Sequence, residues 1–204
     1  VINISITEDK LTKIQYEWNH TNYSMYDKNL VLMMNFDNRS ELEENDTTIM
    51  DVSIYNNEGL CSDTGNTCPN WSLAGRHAGA FEFDGIDDFV NISNSPGLDM
   101  ATNDFTISTW FKTGDTENNN IHLISKQDNS APYPGYSVKV NKGNVSAAVQ
   151  SDSTTDTFSI QTIEQFNDNQ WHHVAVRVDR SESINDGLQI YVDGKKRTTV
   201  TLKN

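Results

Sequence analysis

The chain has 204 residues, with 29 acidic and 15 basic side chains and a formal net charge of −14 at pH 7. This balance excludes a nucleic-acid-binding surface, because phosphate backbones are bound by clustered Lys and Arg. The longest apolar run covers only residues 30–34, far below the roughly 20 residues that a membrane-spanning helix needs. The length suits a single large β-sandwich domain.

Strand patterns dominate the chain from one end to the other. In chain order they are INISI, NLVLMMNF, GAFEF, DFVNIS, DFTISTWFKT, IHLISK, GYSVKV, VSAAVQ, FSIQT, HHVAVRVD, LQIYVDG and RTTVTL. Gly, Asn and Asp separate these segments, a spacing typical of an all-β sandwich. A helical pattern extends over one turn only, at residues 163–166. Hairpin turns are predicted at residues 141–144 and at Asp193 and Gly194, where the residue types suit tight turns.

Alternation of apolar and polar residues gives each strand a buried and a solvent-facing side. Sheets with one buried and one wet face are antiparallel, as in a two-sheet sandwich. We therefore predict an all-β fold, a two-sheet antiparallel jelly-roll sandwich. The residues predicted to face its core are Phe81, Phe83, His172, Val174, Val176, Val178, Leu188, Ile190 and Val192.

Asn is unusually frequent, and many Asn residues open an N-x-[ST] triplet, about twice as often as this composition predicts by chance. Such triplets accept N-linked glycans on the surface of secreted proteins; an Asn- and Thr-rich composition is the other explanation. The predicted glycosylation sites are Asn3, Asn19, Asn22, Asn38, Asn45, Asn70, Asn91 and Asn144.

Cys61 and Cys68 bracket the polar loop SDTGNT. They lack the CxxC spacing and the nearby His that a zinc site requires. A disulfide between them is predicted, with free thiols as the alternative. Because disulfides persist in oxidising compartments, the cysteines and the glycosylation triplets together predict an extracellular or cell-surface protein.

Several of these segments resemble a known family. The stretch GAFEFDGIDDFVNISNSPGLDMATNDFTISTWFKTG and the later QWHHVAVRVD and LQIYVDGKKR are similar to laminin G-like, concanavalin A-like lectin/glucanase jelly-roll domains. Upstream, NLVLMMNFDN and DVSIYNNEG resemble the opening strand and the loop that precede them in that family. The resemblance covers the chain from about residue 29 onward. It implies glycan binding or adhesion to surface partners, often with a structural calcium ion.

The resemblance also suggests how the chain is organised. Residues 1–28 are predicted to form an N-terminal strand segment, either a linker or an exchanged strand, and residues 29–204 the jelly-roll domain. Family members continue past the YVDG hairpin with closing strands, which we expect this domain to lack. Because an open sheet edge accepts another strand, self-association by strand exchange is a second interpretation: a structural subunit of an extracellular filament or surface layer.

The loop after GAFEF places three carboxylates around a Gly turn: Asp84, Asp87 and Asp88. Carboxylate oxygens are the ligands that Ca²⁺ prefers, so the loop is a candidate calcium site. Asp37 and Asp51, from the upstream segments that resemble the family, are expected to converge on the same edge. A solvated acidic turn is the other interpretation.

The same region contains E-x-D-x-x-D, close to the E-x-D-x-x-E of glycoside hydrolases that share the jelly-roll fold. Its members are Glu82, Asp84 and Asp87. Retaining hydrolysis needs two carboxyl groups about 5–5.5 Å apart. The third carboxylate, Asp87, departs from the hydrolase pattern, because its side chain is one carbon shorter than Glu and it follows Gly85 in a predicted turn instead of lying on the strand. We therefore expect a non-catalytic domain and keep a glycoside hydrolase as a third interpretation.

Exposed aromatic rings are the candidate glycan-binding residues, because flat rings stack on apolar faces and donate polar contacts at their edges. Trp110 lies opposite the core-facing residues of its strand, and Tyr133 and Tyr136 lie in the loop-like run PYPGY. His172 and His173 point to opposite faces of a strand and cannot chelate one ion. The sequence thus predicts an extracellular, non-catalytic domain for glycan binding or adhesion, stabilised by calcium.

Overall fold

The computed structural model describes residues 14–18, 20–25, 28–62, 65, 67–100, 102–117, 120–127, 134–151, 157–182, 186–197 and 199–201. The chain divides into two compact units, Val1–Leu98 and Asp99–Asn204. The predicted strand INISI lies outside the described residues. The division at residues 28 and 29 stays a prediction.

Unit 1 consists of short strands joined by long loops. β1 pairs with β2, β5 pairs with β6, and β3, β4 and β7 form a three-stranded sheet in that order, all antiparallel. Single 3-10 turns occupy Ser40–Leu42 and Pro96–Leu98. The strands are β1 (Ile14–Trp18), β2 (Thr21–Met25), β3 (Thr48–Ile49), β4 (Gly59–Leu60), β5 (Asn70–Ser72), β6 (Ala80–Glu82) and β7 (Asn91–Ile92).

Unit 2 contains two antiparallel sheets built from longer strands. Its strands are β8 (Phe105–Phe111), β9 (Ile121–Gln127), β10 (Gly135–Asn141), β11 (Asn144–Gln150), β12 (Thr157–Gln165), β13 (His172–Val178), β14 (Leu188–Val192), β15 (Lys195–Lys196) and β16 (Thr199–Thr201). One sheet has the order β16-β12-β11-β10-β9, and the other β15-β14-β13-β8. This arrangement confirms the predicted all-β, two-sheet sandwich.

The core of unit 2 lies between its two sheets. Burying a Val, Leu or Ile side chain stabilises the fold by about 1.5–3 kcal/mol, and the alternate residues of each strand supply such side chains. The sequence predicted this inward face on β13 and β14 correctly. The buried cluster comprises Phe111, Val138, Val140, Val145, Ala147, Ile160, Phe166, Val174, Val176, Val178, Leu188, Ile190 and Val192.

Both predicted hairpins are confirmed. β10 and β11 are joined through Lys142 and Gly143, with φ of 48° and 87°, and β14 and β15 through Asp193 and Gly194, with φ of 54° and 73°. A two-residue turn with positive φ at both positions has the backbone twist that antiparallel strands require.

Three local predictions are wrong. Residues 30–39, all described, contain no strand; Met33 N–H donates instead to the Asp51 carboxylate, at 2.8 Å. The helical pattern at residues 163–166 belongs mostly to β12, whose pairing with β11 overrides the local periodicity. Phe83 lies beyond the end of β6 and is 57% exposed, because alternation does not continue into a turn.

Within the described part of the chain, no helix has the length and apolar character required to cross a membrane. β9 lies at one edge of the five-stranded sheet, and it carries a bulge at Leu123, between the pairs Val138–Ile124 and Lys139–His122. Bulges at sheet edges oppose pairing with further strands. Self-association by strand exchange stays a prediction.

Candidate recognition surface and acidic loop

The face of the four-stranded sheet that points away from the core carries hydroxyl, amide and aromatic groups. We call this the outer face; its positions on β8, β13 and β14 are Thr106, Ser108, Trp110, His173, Ala175, Arg177, Gln189 and Tyr191. In a chain with 29 acidic residues, none of these described positions is acidic. A polar cavity of about 290 Å³ adjoins one end and is lined by Asp104, Phe105, Thr106, Arg177, Val178 and Asp179.

Trp110 is the largest ring on the outer face and is 38% exposed. It lies directly opposite His173 on the neighbouring strand, and the two ring centroids are 5.2 Å apart. Cross-strand contact of this kind fixes the orientation of an indole on a sheet surface. The hydroxyl of Tyr191, farther along the face, donates to Gln189 Oε1 at 2.7 Å.

The other two predicted glycan-binding tyrosines do not add to this surface. Tyr136 is only 9% exposed and packs against Phe105, with ring centroids 5.2 Å apart. β10 begins at Gly135, so Tyr136 shares the inward face of Val138 and is unavailable for stacking on a sugar. Burial, together with the charge of Asp99, raises the pKa of its hydroxyl. Tyr133 lies outside the described residues.

The acidic loop, residues 84–88, follows β6 and is largely exposed. One carboxylate oxygen from each of Asp84, Asp87 and Asp88 lies within 4.8 Å of the others. Gly85, at φ 77°, permits the turn, and the N–H groups of Ile86 and Asp84 donate to the Asp84 and Asp88 carboxylates, both at 2.8 Å. Ligand oxygens around one Ca²⁺, each at about 2.3–2.6 Å, have separations of this size, so the donor set fits the ion.

Asp51 has a different environment from the acidic loop. It is 3% exposed, and its two oxygens accept hydrogen bonds from Met33 N–H, from Ser53 N–H and Oγ–H, and from Asn57 N–H. Burial raises the pKa of Asp51, but these hydrogen bonds outweigh it and hold the pKa below its ordinary value. Asp51 therefore fastens two loops of unit 1 together.

Asp37 also has a partner of its own, since Gly79 N–H donates to its Oδ1 at 3.2 Å. The cluster that the described residues bring together contains only Asp84, Asp87 and Asp88. The participation of Asp37 and Asp51 in a calcium site stays a prediction.

The E-x-D-x-x-D carboxylates do not line one strand. β6 ends at Glu82, and both Asp84 and Asp87 belong to the turn that follows. Asp84 Oδ1 accepts hydrogen bonds from Ile86 N–H at 2.8 Å and Asp87 N–H at 3.4 Å. These are the bonds of an Asx turn, and they use the carboxylate to shape the loop.

His172 occupies the inward face predicted for it and contacts two carboxylates. Its Nδ1 lies 2.9 Å from Asp193 Oδ2 and its Nε2 lies 3.0 Å from Asp168 Oδ1. The rings of Phe111 and Phe166 pack against it, with centroids 5.9 Å and 5.3 Å away. Burial of the ring lowers the pKa of His172, but the hydrogen bonds to Asp193 and Asp168 outweigh it, and the pKa is raised.

The predicted disulfide is present in unit 1: Cys61 and Cys68 are bonded, with Cα atoms 5.1 Å apart. The bond closes the loop that enters β5. This agrees with the sequence-based prediction and removes both thiols from any catalytic or metal-binding role.

The glycosylation triplets lie in different environments. The side chain of Asn38 is half-buried and donates to Asp46 Oδ1 at 3.2 Å. Asn144 Nδ2 lies 3.0–3.2 Å from three carbonyl oxygens of β12, so its amide is used inside the sheet. Glycosylation stays a prediction. Asn3 and Asn19 lie outside the described residues, Asn22 belongs to β2, and the exposed sites are Asn45, Asn70 and Asn91.

Sequence reasoning did not find the partners of His172 or the hydrogen-bonding role of Asp51. The Asp51 arrangement had a local signal, because Asp followed two residues later by Ser is typical of an Asx turn. Asp168 and Asp193 are 4 and 21 residues from His172 in sequence, and only the folded chain brings both to one ring.

Comparison with known proteins places this geometry in a family. A laminin G family model, described as the concanavalin A-like lectin/glucanases superfamily, matches residues 84–204, more than half of the chain. The non-toxic nonhemagglutinin of Paraclostridium bifermentans is 28% identical over 169 residues, which are 82% of this chain and 13% of that protein. The chain thus spans a small part of the length of this curated relative.

Two solved structures share the fold. One is the binding domain of botulinum neurotoxin DC in complex with rat synaptotagmin II, with a TM-score of 0.53, and the other is HCR/D-Sa-GBL1/C, with 0.52. Each is 16% identical and covers 86% of this chain and 40% of the solved chain. With the family match over residues 84–204, these comparisons identify the chain as a member of the concanavalin A-like lectin/glucanase superfamily.

Proposed function

We propose that this chain is a non-catalytic recognition domain that binds glycans through the outer face of its four-stranded sheet. The observation that carries the proposal is the exposed Trp110 ring, held by His173 at the surface. An indole stacks on the apolar face of a sugar ring, and the hydroxyl and amide groups beside it donate to and accept from sugar hydroxyls.

The proposed location of the protein is extracellular or on a cell surface. The Cys61–Cys68 disulfide supports it, since such bonds persist where the environment is oxidising. The exposed glycosylation triplets at Asn45, Asn70 and Asn91 are compatible with the same location.

Glycan-array binding followed by calorimetry on the best ligand tests the proposal. Trp110→Ala should weaken binding about two- to twelvefold, because a stacked ring contributes about 0.5–1.5 kcal/mol and 1.4 kcal/mol is a factor of ten. Ile163→Ala is the matched control, since Ile163 is 58% exposed on a strand of the other sheet. Equal affinities of wild type and Trp110→Ala, with both folded, would contradict the proposal.

A protein partner is the second candidate, favoured by one specific observation. The structurally similar binding domain of botulinum neurotoxin DC is described in complex with synaptotagmin. A glycan and a protein partner would both bind the outer face. Enzymatic deglycosylation of the captured partner distinguishes between the two. Binding that survives deglycosylation and is lost on Trp110→Ala identifies a protein partner, whereas loss on deglycosylation identifies a glycan.

We also propose that the acidic loop binds Ca²⁺ through Asp84, Asp87 and Asp88. The 4.8 Å grouping of their oxygens supports this, and the ion would offset the mutual repulsion of the three carboxylates. Binding to the folded state alone stabilises by about 2.7 kcal/mol at one hundred times the Kd. Millimolar CaCl₂ should therefore raise the Tm by several degrees, and EDTA should reverse the shift.

Asp87→Asn tests the calcium proposal at the loop itself. It should abolish the response of Tm to CaCl₂, while Glu58→Gln, at an exposed acidic residue elsewhere in unit 1, should leave it intact. A calcium response that is equal in wild type and Asp87→Asn would assign the ion to another place.

A further inference from the structure

The side chain of His172 is the meeting point of two separate turns of unit 2. Asp168 follows β12, and Asp193 is the first residue of the turn between β14 and β15. The imidazole has a side-chain exposure of 13% and touches both carboxylates at once, one through each ring nitrogen. The Phe111 and Phe166 rings restrict its rotation.

The protonation state of the imidazole decides how many of these contacts are hydrogen bonds. A neutral imidazole has one N–H and one lone pair, whereas an imidazolium has two N–H donors. Ionised carboxylates only accept, so both contacts, at 2.9 and 3.0 Å, are hydrogen bonds only when His172 is charged. Loss of the proton leaves a lone pair facing a carboxylate oxygen.

The charged groups around this ring favour the imidazolium. Asp168 and Asp193 contact it directly. Arg197 lies one layer away, 5.1 Å from the centroid of the Phe166 ring, and Glu164 pairs with Arg197 at 3.9 Å. The two carboxylates are the charged groups in contact with the ring, while Arg197, whose guanidinium donates to Val192 O, also acts electrostatically on Asp193.

The group formed by Asp168, His172 and Asp193 is connected to the outer face through Asp193. While Asp193 Oδ2 contacts the His172 ring, its Oδ1 accepts the His173 N–H at 3.0 Å. The His173 ring packs against Trp110. A change at His172 therefore reaches the exposed indole through a single carboxylate and one residue of backbone.

We propose that Asp168, His172 and Asp193 form a pH-sensitive clamp, closed when His172 is protonated, that holds the His173–Trp110 pair in place on the outer face. The effect of the clamp on ligand binding rests on the proposed function, whereas the existence of the clamp does not depend on it. Closed, it fixes the loop after β12 and the β14–β15 turn to the start of β13. Open, it releases the Asp168 contact first, because Asp193 keeps its bond to His173 N–H.

The direction of the pH effect follows from the raised pKa of His172. A folded-state pKa above the unfolded value stabilises the fold fully at pH values below the unfolded pKa, which is about 6.5 for His. The stabilisation is lost as the pH rises through the folded-state pKa. The clamp is therefore closed at pH values below about 6.5 and opens as the pH rises through the raised pKa of His172.

The closing experiment uses NMR on the full chain. The His172 ring signals should titrate at higher pH in the folded chain than the His signals of the chain unfolded in urea, for which the pKa is about 6.5. Asp168→Asn, at a carboxylate 61% exposed, should move the His172 titration to lower pH without disturbing the core. The Trp110 indole N–H signal, assigned with Trp110→Phe, should shift with the same midpoint and lose that step in His172→Gln.

Each outcome has a defined meaning. A His172 midpoint at or below that of the urea-unfolded chain, or one unchanged by Asp168→Asn, overturns the clamp. A Trp110 titration that persists in His172→Gln and disappears in His173→Gln overturns the connection to the outer face. Normal His172 titration with ligand affinity unaffected by Trp110→Ala refutes the proposed function and leaves the clamp standing.

Discussion

Replacing Asp51 by Ala removes the acceptor that joins two loops of unit 1. Three backbone N–H groups and one hydroxyl donate to its carboxylate, at distances of 2.7 to 2.9 Å. Two of the donor residues, Ser53 and Asn57, are themselves buried. Water therefore does not replace the lost acceptor without opening the loop.

The magnitude follows from the number of donors left without a partner. Each buried donor that loses its acceptor costs about 1–3 kcal/mol, so two or three of them predict a loss of about 2–9 kcal/mol in the free energy of unfolding. Asp51→Asn should cost less, about 2–3 kcal/mol, because the remaining amide oxygen still accepts while the NH₂ group faces a donor. Both values are large fractions of the stability of an ordinary domain.

Urea unfolding followed by circular dichroism measures these differences. Glu58→Ala is the matched control: it removes one carboxylate from the same loop region but at an exposed position, so it should change stability by no more than about 0.5 kcal/mol. The reasoning is refuted if Asp51→Ala costs no more than Glu58→Ala, or if Asp51→Asn costs more than Asp51→Ala.

Two further predictions concern stability. Replacing both Cys61 and Cys68 by Ala opens a loop of about eight residues and should lower the free energy of unfolding by about 2.5 kcal/mol; an unchanged urea midpoint would contradict the stabilising role of the bond. Asn144→Ala removes amide hydrogens donated to carbonyl oxygens of β12 and should cost about 1–2 kcal/mol. Asn70→Ala, at an exposed Asn of another glycosylation triplet, is its control and should be near neutral in the same assay.

The sequence predicted the sandwich of unit 2 well because its strands are long and have one buried face. β13 and β14 alternate without interruption, so a period of two residues places Val176 and Ile190 in the core. The turn residues Asp193 and Gly194 also have few alternatives, since both adopt positive φ. Local chemistry and tertiary packing agree there.

Unit 1 was harder to predict because much of its backbone is held by hydrogen bonds to side chains and not by pairing between long strands. The run NLVLMMNF is apolar on both faces and gives no period to read. Phe36 and Asn38 both have positive φ, at 58° and 51°, which interrupts any extended strand. The hydrogen bond from Met33 to Asp51 spans 18 residues, a distance over which no local pattern gives information.

The outward-facing position predicted for Trp110 is correct, whereas the exposed position predicted for Tyr136 is wrong. Trp110 sits in the middle of an alternating run, whereas Tyr136 follows PYPG, which favours a loop. The predicted strand GYSVKV already begins at Gly135, and its period of two groups Tyr136 with the buried Val138 and Val140. The error came from assigning Tyr136 to the loop-like run PYPGY instead of applying the period of two of that strand.

The acidic excess of this chain has a structural use that connects these observations. Asp51 and Asp193 both accept backbone N–H groups where the strands end, and the pKa of each is held below its ordinary value. Such carboxylates stabilise the fold above the unfolded pKa of about 3.9 and lose that contribution as the pH falls through the lowered value. The contribution of His172 to stability depends on pH in the opposite direction, because it is complete only below about pH 6.5 and is lost as the pH rises. Between these limits all three groups contribute their full stabilisation, so the loops and the clamp are both closed there.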